Sequence, residues 1–180
     1  MSGKKTTYHL KNFNQACCYK WLNHSLIDNN ISVLSIQSGS VIIVTNDKEK
    51  VEKVIKEAGF VILEDKGLIR VEAIKQAVYE IVYLQNHQNS IINKSEYLIE
   101  RMGMTYASIS KLFSRYNDIT LEKYIIKQKI EKIKDLIDSE DYTLSEIAYI
   151  MNYSSVQHLS TQFKKETGFS FTEYSQLDAK

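Results

Sequence analysis

Apolar positions in the first third of the chain switch between a period of two and a helical stripe. Thr6–Phe13 (TTYHLKNF) predicts a strand and Gln15–Asp28 a helix. Strand-like runs follow at Ile31–Gln37 and Val41–Thr45, joined by Ser38, Gly39 and Ser40 as a hairpin signal. Val51, Val54, Ile55 and Ala58 form a helical stripe that stops at Gly59, the residue type expected at C′. Phe60–Leu63 (FVIL) predicts a last short strand. From Gly67 onward the two-residue period vanishes. Ile74, Ala77, Val78 and Ile81 make one helical stripe, and Ile126, Ile130, Ile133 and Ile137 another, on a helix predicted from Thr120 to Asp138. Asn93 with Glu96, and Thr143 with Glu146, each fit the box that opens a helix.

The order β-α-β-β-α-β within about 65 residues is the split βαβ, or ferredoxin-like, unit. The expected fold class is therefore α+β: an N-terminal ferredoxin-like domain over residues 1–66, then an all-α domain over 67–180. Proline is absent, so no stiff linker separates them, and Lys66-Gly67 is the expected joint.

The all-α half repeats. Ile109, Ser110, Phe113, Ile119 and Tyr124 recur fifty positions later as Leu159, Ser160, Phe163, Phe169 and Tyr174. The preceding helix matches at an offset of forty-nine, with Leu98, Ile99 and Met102 against Ile147, Ala148 and Met151. Gly103 then matches Asn152, and these residue types best tolerate the left-handed backbone of a tight interhelical turn. Each copy reads as helix, turn, helix, so a double helix-turn-helix domain is expected. The connecting helix of about 19 residues spans roughly 28 Å, against about 34–36 Å between groove segments on one face of B-DNA.

The second copy shows what such a motif could meet. In SSVQHLSTQFKKETGF, Val156, Leu159 and Phe163 form the apolar stripe, Ser154 and Ser155 are N-cap residues, and Gly168 is a C′ stop. The other face carries Gln157, Ser160, Thr161 and Lys164, with Lys165 beside them and no acid among the five. A glutamine can pair bidentately with adenine, and serine or threonine can contact several base edges. Lys164 is placed nearer phosphate. On the first copy Ile109, Leu112 and Phe113 face inward, leaving Ala107, Lys111 and Ser114 outward with Ser110 and Arg115 flanking. Lys111 is the best candidate for guanine. A single helix-turn-helix is commonly a corner that packs a core; the repeat favours double-stranded DNA as partner.

Composition narrows the alternatives. The chain has 180 residues, 43% hydrophobic and 25% charged, which is ordinary globular usage. No apolar run is long enough to span a membrane, and MSGKKTTYHL has no apolar segment after its lysines, so a cytoplasmic protein is expected. No phosphate-binding glycine loop, metal triad or nucleophile–base pair is evident, so no enzyme and no catalytic residue are expected. The twelve tyrosines read as structural, Tyr124 and Tyr174 occupying matching repeat positions. Residues 67–180 carry 14 Lys and Arg against 15 Asp and Glu, so any charge complement to DNA must be local. Glu122, Glu131, Asp135, Asp138, Glu140 and Asp141 supply much of the acid and are expected on the side away from DNA. N-termini at Asn93, Thr105 and Ser155 offer backbone N–H groups to phosphates.

The stretch LSEIAYIMNYSSVQHLSTQFKKETGFS, Leu144 to Ser170, resembles the DNA-binding domain of AraC/XylS-type bacterial transcription regulators, and the resemblance covers roughly residues 70–178. It implies two helix-turn-helix units bridged by one long helix. It also implies sequence-specific reading of DNA, allows Val156 to touch a thymine methyl as an alternative to core packing, admits RNA polymerase as a further partner, and leaves the effector unidentified. Two positions depart from the family: Phe171 stands where proline is usual, and Ser175 where arginine is usual. They bear on the docking of the last helix.

Residues 5–64 are similar to the heavy-metal-associated domain, whose C-x-x-C loop joins the first strand to the first helix. In NFNQACC, Cys18 fits the second cysteine and Gln15 stands in place of the first. An amide is a poor ligand for a soft cation, and the adjacent side chains of Cys17 and Cys18 diverge by about 100° on a helix. Cys17 and Cys18 are thus weak candidates for a soft metal ion, no cofactor is expected, and the domain is read as sensory or interaction-mediating. The surviving thiol is expected to be activated by its place at a helix N-terminus. A metal-handling or interaction module whose helical half no longer reads DNA is the alternative.

Overall fold

The computed structural model describes residues 4–84 and 94–176. The expected cap at Asn93 lies outside the described residues. The chain divides into two compact units, Met1–Ala77 and Val78–Lys180.

The first unit runs β1 (Lys4–Leu10), α1 (Ala16–Asp28), β2 (Val33–Gln37), β3 (Ser40–Thr45), α2 (Lys48–Glu57) and β4 (Ile62–Leu63), then enters α3 (Lys66–Tyr79). The strands form one antiparallel sheet in the order β2-β3-β1-β4. Alternation along the strands aims Tyr8 and Leu10 of β1 and Val41 and Ile43 of β3 into a core with Leu22 and Leu26 of α1 and Val51 and Ile55 of α2. Strand β1 stops short of the predicted Phe13, because Asn12 adopts a left-handed φ of 54° that ends the extended run. Phe13 itself turns into the core. Helix α2 closes as its glycine implied: Gly59 has φ 89°, its N–H donates to Lys56 O at 2.9 Å, and Phe60 N donates to Ile55 O at 3.1 Å.

The expected joint at Lys66-Gly67 falls inside the first turns of α3, whose start is capped by the Asp65 carboxylate accepting from Leu68 N at 2.8 Å. The first part of α3 belongs to the first unit. Glu72 accepts from Asn12 N at 2.8 Å and pairs with Lys75 at 2.9 Å. The Gln76 amide, oriented to satisfy both its atoms, donates to Ser38 O and accepts from Gly39 N, each at 3.0 Å. A Cβ at Gly39 would displace that amide from its two bonds, and the φ of 78° favours glycine at this hairpin position.

The second unit continues from the end of α3 through a π-helical turn, Glu80–Leu84. It then holds α4 (Lys94–Met102), α5 (Tyr106–Tyr116), α6 (Leu121–Asp138), α7 (Leu144–Ile150), α8 (Val156–Thr167) and α9 (Phe171–Ser175). Helices α4 and α5 pack together, as do α7 and α8, and α6 contacts both α5 and α8. Its 18 residues span about 27 Å.

The repeat extends to packing detail. Gly103 and Asn152, in the two interhelical turns, take left-handed φ of 62° and 54°. Thr105 and Ser155 cap α5 and α8 by accepting from Ser108 N and His158 N, and Thr120 and Ser170 do the same for α6 and α9. Phe113 packs on Tyr124 at 5.1 Å between ring centroids, and Phe163 on Tyr174 at 5.5 Å. Phe171 stacks on Phe163 at 4.4 Å, so α9 is docked by aromatic contact.

Candidate nucleic-acid interface

Helices α5 and α8 each bury one stripe. Ile109 and Phe113 are fully buried on α5, and Leu159 and Phe163 on α8. The 3.6-residue period then turns the polar positions outward. On α5, Ala107, Lys111, Ser114 and Arg115 are exposed and Ser110 is half-buried; on α8, Gln157, Thr161 and Lys164 are exposed, while Val156 and Ser160 are half-buried. The geometry thus separates apolar from polar positions on both helices along the lines the period implied.

Partners modify individual side chains. The Thr161 hydroxyl donates to Gln157 O at 2.8 Å, which leaves its lone pairs, not its proton, for a ligand. Thr105 and Ser155 already accept one backbone N–H each at the starts of α5 and α8, so those termini offer the remaining N–H groups. Lys123 at the start of α6 pairs with Glu166 of α8 at 2.9 Å.

Glu122, expected on the side away from DNA, is placed differently. Glu122 does not lie away from the outward face of α5. Its Oε1 accepts from Tyr106 Oη at 3.0 Å and Ser110 Oγ at 3.4 Å. Burial, then this bond and the adjacent negative charge, pushes the Tyr106 phenol up to about 12. Its own backbone N–H, with the Tyr106, Thr120 and Ser110 hydroxyls, holds the Glu122 carboxyl below the usual range although burial opposes this. Glu122 is therefore anionic beside Ser110 at neutral pH. Hydrophobic periodicity on α5 could not reveal a neighbour contributed by α6.

On α8 a surface crevice of about 480 Å³ opens toward α9, lined by Ser160, Thr161, Lys164 and Lys165 on one side and Ser170, Phe171 and Thr172 on the other. Lys165 and Thr172 join the outward residues here. Periodicity places Lys165 beside the polar face of α8 without fixing its role.

In the first unit the donor set at the β1–α1 loop does not fit a soft metal. Gln15 is the N-cap of α1, and the Cys17 thiol, exposed, donates to Gln15 Oε1 at 3.4 Å. The Cys18 thiol is pushed up, chiefly by burial and then by Cys17, which corrects the expectation of an activated thiolate at this helix start. Among the described residues no group of three or more His, Cys, Asp or Glu side chains could hold a metal ion. No helix among them is long and apolar enough to cross a membrane.

Residues 98–176 match a family model described as a helix-turn-helix domain. The xylose operon regulatory protein of Escherichia coli K12 is 26% identical over 107 residues, which is 59% of this chain and 26% of that protein. The HTH-type transcriptional activator RhaS of Escherichia fergusonii is 22% identical over 96 residues, 53% of this chain and 34% of that one. A crystal structure of a DNA-binding transcriptional dual regulator from Escherichia coli K-12 aligns with a TM-score of 0.48 at 16% identity, over 65% of this chain and 96% of that one. The chain spans only about a quarter to a third of the length of these curated relatives.

Proposed function

We propose that this protein is a sequence-specific, DNA-binding bacterial transcription regulator of the AraC/XylS type, with α4–α5 and α7–α8 as its two helix-turn-helix units. The single observation that carries the reading is the repeat: two helix pairs with left-handed turns at Gly103 and Asn152, matched caps, and outward polar faces on α5 and α8. The family match over residues 98–176 supports it. Helix α6, about 27 Å long, is a spacer on the scale of one turn of B-DNA, about 34–36 Å. In this reading α5 and α8 enter successive major-groove segments from one side. Lys111 and Gln157 contact base edges, Ala107, Ser110, Ser114, Val156, Ser160 and Thr161 complete the reading faces with Arg115 flanking them, and Lys164 meets phosphate.

The N-terminal unit is read as ferredoxin-like and similar to heavy-metal-associated domains. Support comes from its β-α-β-β-α-β order and the strand order β2-β3-β1-β4. Its proposed role is sensory or interaction-mediating, with an unidentified effector and no tightly held metal. RNA polymerase is the proposed second partner, and the cytoplasm the proposed place of action. Selection of bound sites from random duplex DNA tests the core of this reading. A bipartite site with parts about one helical turn apart is the expected outcome; recovery of no enriched sequence would refute sequence-specific binding.

A further inference from the structure

We propose that the crevice between α8 and α9 seats one backbone phosphate of the duplex that α8 reads, and that Glu122 closes the corresponding place beside α5. The inference rests on the DNA-binding reading above and adds an asymmetry between the two copies. Positions fifty apart correspond, so Ser110 matches Ser160, Arg115 matches Lys165, Thr120 matches Ser170 and Glu122 matches Thr172.

In the second copy, Ser160 and Lys165 line the crevice with Ser170 and Thr172, and Leu144 and Phe171 are its apolar walls. The Ser170 hydroxyl accepts from Glu173 N at 3.3 Å and its proton serves the Glu173 carboxylate, so Ser160 and Thr172 are the crevice hydroxyls left to donate. Thr161 is no donor here, because its proton is committed to Gln157 O. Lys164 and Lys165 both line the crevice and are exposed, and together they give the site its cationic character. Two ammonium groups with hydroxyls beside them, on an open surface at the flank of a helix whose other residues reach base edges, fit a phosphodiester and its oxygens. Lysine and Ser/Thr hydroxyls are among the groups that commonly hold DNA backbone.

In the first copy the same place holds a carboxylate. Glu122 Oε1 lies 3.4 Å from Ser110 Oγ, the atom equivalent to Ser160 Oγ, and 3.0 Å from the Tyr106 hydroxyl. A phosphate approaching Ser110 from this side would meet a fixed negative charge. The second copy therefore anchors the protein on the backbone here, whereas the first does not.

The test is fluorescence anisotropy of a mixed-sequence DNA duplex titrated with the full chain over a range of salt. Each phosphate contact contributes about 0.9 to the log–log salt slope. Lys165→Ala and Thr172→Glu should each flatten the slope by about that amount while weakening all sequences alike. Glu122→Thr should steepen it by about the same amount. Circular dichroism checks each fold, and Lys165→Gln or Glu122→Gln replaces any variant that loses helix. An unchanged slope in both α8–α9 variants, with wild-type protein binding normally, overturns the phosphate seat. Wild-type protein that binds no duplex would instead remove the DNA-binding reading, and this inference with it.

Discussion

Lys111 and Gln157 stand exposed on α5 and α8, each on the face opposite a fully buried stripe. If they reach base edges, Lys111→Ala and Gln157→Ala should each cost about 1–3 kcal/mol of specific binding and relax specificity at bases roughly one turn apart. Lys164→Ala should weaken every sequence alike and flatten the salt dependence. A gel shift with selected and scrambled duplexes separates these outcomes, and unchanged shifts for Lys111→Ala and Gln157→Ala would show the site to be misassigned. The β1–α1 loop supports a second residue-scale prediction. Gln15 at the N-cap of α1 offers an amide, a poor ligand for a soft cation, and burial keeps Cys18 protonated to higher pH. Wild-type protein should therefore fail to withdraw copper(I) from a competing chelator. Gln15→Cys should create that ability; tight binding by the wild type would contradict the reading of the loop.

At the scale of elements, the two interhelical turns make a paired test. Gly103 has φ 62° and Asn152 φ 54°. An alanine at position 103 must adopt a conformation that costs roughly 1–2 kcal/mol, whereas asparagine tolerates it better. Thermal unfolding should rank Gly103→Asn above Gly103→Ala, and equal midpoints would argue against turn strain. The capping boxes give a pH dependence. Glu146 accepts from Thr143 Oγ1 and N, and Glu173 from Ser170 N at 2.6 Å. Hydrogen bonds first from the cap side chain and then from its backbone hold both carboxyls below their ordinary range. The folded values are depressed, so this contribution is complete above the ordinary carboxylate range and is lost as pH falls through the lowered values. Amide exchange at the starts of α7 and α9 should quicken on acidification relative to Glu146→Gln and Glu173→Gln, which lack that titration. Identical profiles would remove the carboxylates from the account.

For the whole molecule, the proposed division of labour predicts that residues 67–180 alone bind the selected duplex. The matched domain, 98–176, lies wholly within that fragment. Glu72 and Gln76 would lose Asn12, Ser38 and Gly39, so fraying at the start of α3 is expected without loss of binding. Circular dichroism and anisotropy on the fragment check both points. Collapse of its helical signal would show that the second unit depends on the first.

Sequence alone determined the main succession of strands and helices, the repeat, and the helix starts at Thr105, Thr120, Thr143 and Ser155 with the stop at Gly168. These are short-range matters: a period of two or 3.6, a serine or threonine hydroxyl three residues from its N–H, a glycine or asparagine where φ is positive. It also separated the outward face of α8 from its core stripe, because that follows from periodicity on one helix. Tertiary structure decided what no local pattern encodes. Glu122 lies against Ser110 because α6 packs on α5, and Phe171 docks α9 by stacking on Phe163. The first unit extends into α3 because Glu72 and Gln76 bond to backbone far away in sequence. Cys18 is partly covered by the core of its unit, so burial outweighs the pull of a helix start on its thiol. Each of these rests on groups brought together from distant parts of the chain, where desolvation and a neighbour's charge set the chemistry.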